Sequence, residues 1–287
     1  MGQSLIITLR EGLEAALIVA VILAYLRRVD YPRGIPAVWL GVAGAVTLSL
    51  AAGGVIFAMG MALEGRAEEV FEGTALLLAV GVLGWMVVWM KRQAHQITGR
   101  LEAGVQDALD TGSGVALAGL AFVAVGREGL ETALFLFSAA ETTSPFETLV
   151  GGVAGLTIAV VLGVAINRGS RRLNLRAFFN VTGVLLIFIA AGLLARGIHE
   201  LQEAAVMPIL VEHVWDINHV LNEQTGAGSF MKGILGYNGN PSLVEAMAYG
   251  LFLGATLAYF FWQPRGSVRP GVPRHPGKVL SGRDSTR

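Results

Sequence analysis

Apolar residues in this chain gather into long runs separated by short polar stretches. Seven runs reach the roughly 20 residues that a membrane-crossing helix needs. They lie near residues 4–26, 36–62, 68–90, 115–139, 148–166, 178–198 and 243–262. The pattern predicts an all-α, polytopic membrane protein with seven transmembrane helices. Between the runs, residues 100–110 read as a short interfacial helix with Leu101, Val105 and Leu109 on one face. A second amphipathic helix is expected within 199–224, whereas TGAGSF and GYNGNP read as turns.

Charge orients these spans. Arg27, Arg28 and Arg33 follow the first, Lys91, Arg92 and Arg100 the third, and Arg168, Arg171, Arg172 and Arg176 the fifth. A Pro/Gly-rich tail, 265–287, adds Arg265, Arg269, Arg274, Lys278, Arg283 and Arg287 and is expected to be disordered. These regions hold most of the 21 basic residues, while the alternate loops hold only Arg66 and Lys232. The positive-inside rule then puts the N-terminus outside and the C-terminus inside, as an odd number of spans requires. The outer side is acidic: Glu64, Glu68, Glu69, Glu72, Glu141 and Glu147 lie there, and the external loop 199–242 carries further acids with His199, His213 and His219. Together they would raise the local cation concentration at the outer mouth.

Two charged runs break the apolar pattern from within. Arg-Glu-Gly-Leu-Glu occurs at Arg10–Glu14 in the first span and again at Arg127–Glu131 in the fourth. Each ionised side chain near the centre of a bilayer costs about 2.5–3.5 kcal/mol. Six carry a gross penalty on the order of 15 kcal/mol before pairing or hydration. The two copies open groups of three spans, about 1–90 and about 115–198, with a seventh span at 243–262 to complete a membrane domain of 1–264. Because three is odd, the second group is inverted relative to the first, the 3+3 inverted repeat of many secondary transporters.

Within each motif the two carboxylates stand at i and i+3 on one helical face, and the Arg can pair with the Glu four residues on. Gly12 and Gly129 let another helix or an ion approach the backbone. Two such helices meeting at the midplane would gather Glu11, Glu14, Glu128 and Glu131 with Arg10 and Arg127, a set carrying two net negative charges. Carboxylate oxygens suit hard cations such as Fe(III), Fe(II), Mn(II), Mg(II) or Ca(II). The alternative is an ion-pair network that only locks helices; two copies with an excess of acid weigh against it. At the third span, Glu68, Glu69 and Glu72 form either a first binding site at the outer mouth or favourable charge at a helix N-terminus.

Composition narrows the classes. The chain is 54% hydrophobic and 15% charged with zero net charge, and its mean hydropathy is +0.61. Nucleic-acid binding has no electrostatic basis. The absence of Cys removes disulfides, iron–sulfur clusters and thiolate metal sites. The five His residues fall outside the spans or at their edges, which disfavours a haem redox protein. His199-Glu200-Leu-Gln-Glu203 lacks the second His of a zinc protease, and no GxxxxGK[ST] is present for a nucleotide-driven pump.

The paired motifs in spans one and four of a seven-span, N-out chain resemble the oxidase-dependent iron transporter family, which includes the fungal high-affinity iron permeases and bacterial iron permeases. EEVFEG leading into GWMVVWMKR, then ARGIHELQEA, VWDINHVL and GYNGNPSLVE extend the similarity over nearly the whole chain. The resemblance implies a non-enzymatic iron importer in the plasma (inner) membrane. Glu11, Glu14, Glu128 and Glu131 would be the ligands and Arg10 and Arg127 their support. Iron would be the transported substrate, with no permanently bound cofactor. It also implies a separate extracytoplasmic iron-binding protein, peroxidase or oxidase as partner: bacterial relatives work with a periplasmic iron-binding protein and a haem peroxidase, fungal ones with a multicopper oxidase. The fungal external-loop acidic motif has no clear counterpart here; His199, Glu200 and Glu203 are the residues that would stand in for it. Mn(II) or Pb(II) remains the rival cargo.

Overall fold

The structure is a computed structural model that describes residues 1–93, 97–167, 174–223 and 226–262. Its described residues form helices and connecting turns. The helices are α1 (Gly2–Arg28), α2 (Ile35–Ala62), α3 (Arg66–Gln93), α4 (Ile97–Asp110), α5 (Gly114–Thr142), α6 (Pro145–Asn167), α7 (Leu175–Glu203), α8 (Gly226–Leu235) and α9 (Leu243–Phe261), with a 3-10 turn at Pro32–Gly34.

Local chemistry sets several helix ends. Asn174 caps α7 by accepting from the Ala177 N–H, and Ser242 caps α9 by accepting from the Glu245 N–H. Gly65 and Gly112 take positive φ at the turns before α3 and α5, where a side chain would be strained. Arg27 and Arg28 complement the C-terminal dipole of α1.

Among the described residues, five stretches are long and apolar enough to cross a membrane: Pro32–Ala62, Arg66–Val87, Pro145–Ile166, Ala177–Glu203 and Leu243–Phe261. The chain is therefore read as an integral membrane protein. The motif-bearing helices α1 and α5 are 27 and 29 residues long. At 1.5 Å per residue each extends about 40 Å, more than a hydrocarbon core of about 30 Å. Large apolar side chains face outward on α2 and α6, among them Leu40, Leu50 and Val161, which suits lipid and would be unfavourable in water.

Small residues decide which helices touch. α1 and α6 run side by side in the same direction: Gly151 lies against Met1 and Ser4, Gly155 against Leu5 and Thr8, Gly12 against Ala159, and Gly163 against Ala16. α2 and α5 pair in the same way, with Gly41 on Ala118, Gly44 on Phe122 and Gly129 on Ser49. By contrast α3 and α7 run antiparallel, Gly73 meeting Leu201 while Gly197 meets Leu76. α1 and α5 are antiparallel too, since Gln3 bonds Thr142 near one end while Glu11 and Glu14 approach Glu131 farther along. Exchanging α1 with α5, α2 with α6 and α3 with α7 leaves these pairings unchanged. One buried cluster, including Ile7, Leu83, Met86, Phe135, Leu186 and Leu193, fills the space between α1, α3, α5 and α7.

The amphipathic helix expected at 100–110 is present as α4, with Val105 buried against α1 and α5. The one expected within 199–224 is not. α7 runs on to Glu203, Ala205 then adopts φ 54, and the segment to 223 is a series of turns. Its backbone is satisfied across the loop and not along a helix: Val214 N–H donates to Pro241 O, Ile217 N–H to Gly239 O, and Leu243 N–H to Val211 O. TGAGSF, expected as a turn, instead leads into α8, where Gly228 lets the helix pack on the Asn222 backbone. The whole basic tail, 265–287, with its His275, and Arg168, Arg171, Arg172 and His95 lie outside the described residues.

Candidate metal centre

The two motifs meet where α1 and α5 cross inside the bundle. Rotation of α1 is fixed by its packing on α6, through Gly12 and Ala159, and rotation of α5 by its packing on α2, through Gly129 and Ser49. A methyl group at either glycine would push its helix off its neighbour, so the same residues that bear the motif's backbone also aim its acids. The glycine positions are thus used for helix packing.

Glu11, Glu128 and Glu131 each bring one carboxylate oxygen to a common point, the three lying within 4.8 Å of one another. Glu11 and Glu128 are buried, at 1% and 5% exposure. Glu11 Oε2, Glu128 Oε2 and Glu131 Oε2 have no hydrogen-bond partner and no access to solvent. Buried acceptors left unsatisfied are costly, and a cation held among these three carboxylates would satisfy them. A hard ion holds oxygens at about 2.0–2.6 Å, so ligands on opposite sides of it stand about 4–5 Å apart. The observed spacing matches.

The arginines hold the acids from outside this group. Arg10, 1% exposed, bridges its own motif: Nη1 donates to Glu11 Oε1 at 2.7 Å and Nη2 reaches Glu14 Oε1 at 3.0 Å. Arg127 Nε donates to Glu131 Oε1 at 2.8 Å, with Glu128 farther away at 4.0 Å. The Arg10 pairs are close and dry, so each contact is worth more than at a surface and removing one partner would strand a buried charge; Arg127, its side chain 41% exposed, is in part screened by solvent. Of the four predicted ligands, Glu14 stands apart from the three-oxygen group and is turned toward Arg10.

Of the acids expected at the outer mouth, Glu68, Glu72 and Glu200 come together with Glu141 and Arg196. Glu68 and Glu69 occupy the first turn of α3, where the helix dipole favours negative charge. Glu72 lies within hydrogen-bonding reach of Glu141 on α5, with Glu68 and Arg196 nearby. Glu200 pairs with Arg196 on α7. His199 faces elsewhere, bonding Glu245 through Nδ1 at 3.1 Å and Glu203 through Nε2 at 3.4 Å. Glu141, Arg196, Glu245 and Asn238 were not singled out from the sequence as site residues. A signal existed for Glu245, because Ser242-Leu-Val-Glu245 is a capping-box pattern. Its carboxylate, 2% exposed, instead binds His199 and Asn238. His199, Glu203 and Glu245 line a cavity of about 380 Å³ beneath the 204–242 loop. The cavity reaches down to Gln3 at the start of α1, about two turns above Glu11.

With this geometry in view, comparisons with known proteins are specific. The profile of the Iron permease FTR1 family matches residues 1–262. A protein of Escherichia coli O6:K15:H31 (strain 536 / UPEC) named ferrous iron permease EfeU is 39% identical over 265 residues, covering 92% of this chain and 96% of its own. The Yersinia pestis protein of the same name is 36% identical over 269 residues, 93% of this chain and 95% of its own. That of Shigella sonnei is 39% identical over 265 residues, 92% of this chain and 96% of its own. No solved structure matches the chain. These relatives are transporters and not enzymes.

Proposed function

This chain belongs to the iron permease FTR1 family, and we propose that it moves iron into the cytoplasm through the carboxylate group of Glu11, Glu128 and Glu131. The observation that carries the reading is the convergence of one carboxylate oxygen from each of Glu11, Glu128 and Glu131, on two helices, at a spacing a hard cation fills. Glu14 serves as the fourth acid, holding Arg10 and standing one turn beyond Glu11 to receive the ion. Four acids and two arginines leave two negative charges, which a divalent ion neutralises; Fe(II) is therefore the assigned cargo. The names of the relatives, ferrous iron permeases, agree with that charge.

The architecture assigned to this task has seven spans, α1, α2, α3, α5, α6, α7 and α9, with α4 at the inner interface. The N-terminus lies outside and the C-terminus inside. The pairing of α1 with α6 and of α5 with α2, together with the antiparallel crossings of α1 with α5 and α3 with α7, supports an inverted repeat whose two-fold axis passes near the metal group. That is where transporters of this design bind their substrate. Iron is cargo, and no permanently bound cofactor is assigned. The location is the plasma membrane, and iron reaches the outer cavity from a separate extracytoplasmic iron-binding protein, peroxidase or oxidase.

Uptake into proteoliposomes tests the proposal. Glu11→Gln, Glu128→Gln and Glu131→Gln keep the side-chain shape but remove the charge, and each should reduce Fe(II) uptake to background while the protein still elutes as wild type on gel filtration. Normal uptake by all three would overturn the site. Parallel arms with Fe(III) and Mn(II) test the cargo: faster Mn(II) than Fe(II) transport contradicts the iron assignment.

A further inference from the structure

One face of α3 touches both motifs. Met86 and Trp89 are three residues apart, so they share a side of that helix. Met86, 1% exposed, accepts from Arg10 Nη1 through its sulfur at 2.9 Å. The Trp89 ring lies under the Arg127 guanidinium, with Cζ 4.7 Å from the ring centroid. Arg127 is the most open of the six motif charges, its side chain 41% exposed. It is nonetheless held at two points, by Glu131 and by the indole face.

We propose that Trp89, with Met86, is a positioning residue that keeps the motif arginines out of the space between Glu11, Glu128 and Glu131 and so sets the affinity for the transported cation. The inference rests on the carboxylate site proposed above. Its physical basis is competition. A guanidinium on a long flexible stem is itself a cation, and the three carboxylates within 4.8 Å are a better destination for it than the one short and one long contact that Arg127 makes to Glu131 and Glu128. Rotation about its side-chain bonds would let Arg127 neutralise the group and exclude the metal. The indole opposes this, because its negative π-face attracts the guanidinium lying over it. An aliphatic side chain offers no such attraction. Met86 restrains Arg10 more weakly, by a polarisable sulfur that accepts one N–H.

Equilibrium binding of Fe(II), measured anaerobically by calorimetry on the full chain in detergent, tests the proposal. Trp89→Leu should weaken binding about fivefold, the upper end for a cation–π contact that is partly open to solvent. Trp89→Phe, which keeps an aromatic face, should stay within about twofold of wild type. Met86→Leu, of similar volume, should weaken binding by a few fold. In an Arg127→Gln background, Trp89→Leu should change nothing further, since there is no guanidinium left to restrain. Wild-type affinity in Trp89→Leu, equal losses in the Phe and Leu variants, or an undiminished loss in the Arg127→Gln background would each overturn it. Wild-type affinity in Met86→Leu would remove Met86 from the proposal. Glu131→Gln is the control. If that variant binds iron normally, the carboxylate site itself has failed; if it does not and Trp89→Leu is silent, only the positioning role has failed.

Discussion

At the scale of single residues, the motif divides its work between chemistry and packing. Arg10 spans Glu11 and Glu14 with two separate nitrogens, a task for a planar fork that an ammonium cannot share out in the same way. Arg127 makes its one short contact through Nε. Arg10→Lys should therefore depress Fe(II) uptake more than Arg127→Lys in proteoliposomes, and equal rates for the two would contradict this asymmetry. Gly129 faces Ser49 so closely that a methyl group cannot be added without displacement. Gly129→Ala should lower stability by about 1–3 kcal/mol, visible as a lower thermal unfolding midpoint in detergent, and Ser49→Gly in the same chain should recover most of it. The motif acids and their shared faces were legible from spacing alone. Which three oxygens converge was not, because that depends on the rotation of each helix, set by contacts with α2 and α6 that lie far away in sequence. The pairing of Glu245 with His199 was hidden for a similar reason: the two stand on different helices, 46 residues apart.

At the scale of helices, similar motifs have opposite fates. Gly151 and Gly155 seat α6 on α1, whereas Gly250 and Gly254 of α9 have nothing within contact distance. The sequence offers both as small-residue packing spots, and only the neighbours tell them apart. Gly155→Leu should abolish folded protein, since the side chain would meet the α1 backbone at Leu5 and Leu9. Gly254→Leu should give wild-type yield and thermal midpoint. A comparable loss in both variants, read by gel filtration, would contradict the packing described. Long helices were easy to read because an apolar run of membrane length has few other solutions. The 204–223 loop was not, since its backbone donors are satisfied by Pro241 and Gly239, partners that no local pattern announces.

At the scale of the whole molecule, the charge pattern and the helix pairing are independent grounds for the same arrangement. In the proposed arrangement the basic residues mark the inner side of the membrane, and the antiparallel crossing of α1 and α5 brings the two motifs together. The absence of Cys makes orientation simple to test. Single cysteines at the exposed positions Glu64 and Ser144 should react with an impermeant maleimide on intact cells, and those at Asp30 and Thr111 only after permeabilisation. The reverse labelling would invert the topology and the direction of transport with it. The central claim is narrower: a metal ion sits among Glu11, Glu128 and Glu131. Anomalous scattering at the iron edge, from crystals of the protein grown with Fe(II), locates that ion without reference to activity. The account predicts one dominant peak within bonding distance of all three carboxylates; a dominant peak beside His199 and Glu203 instead, with none between α1 and α5, would contradict it.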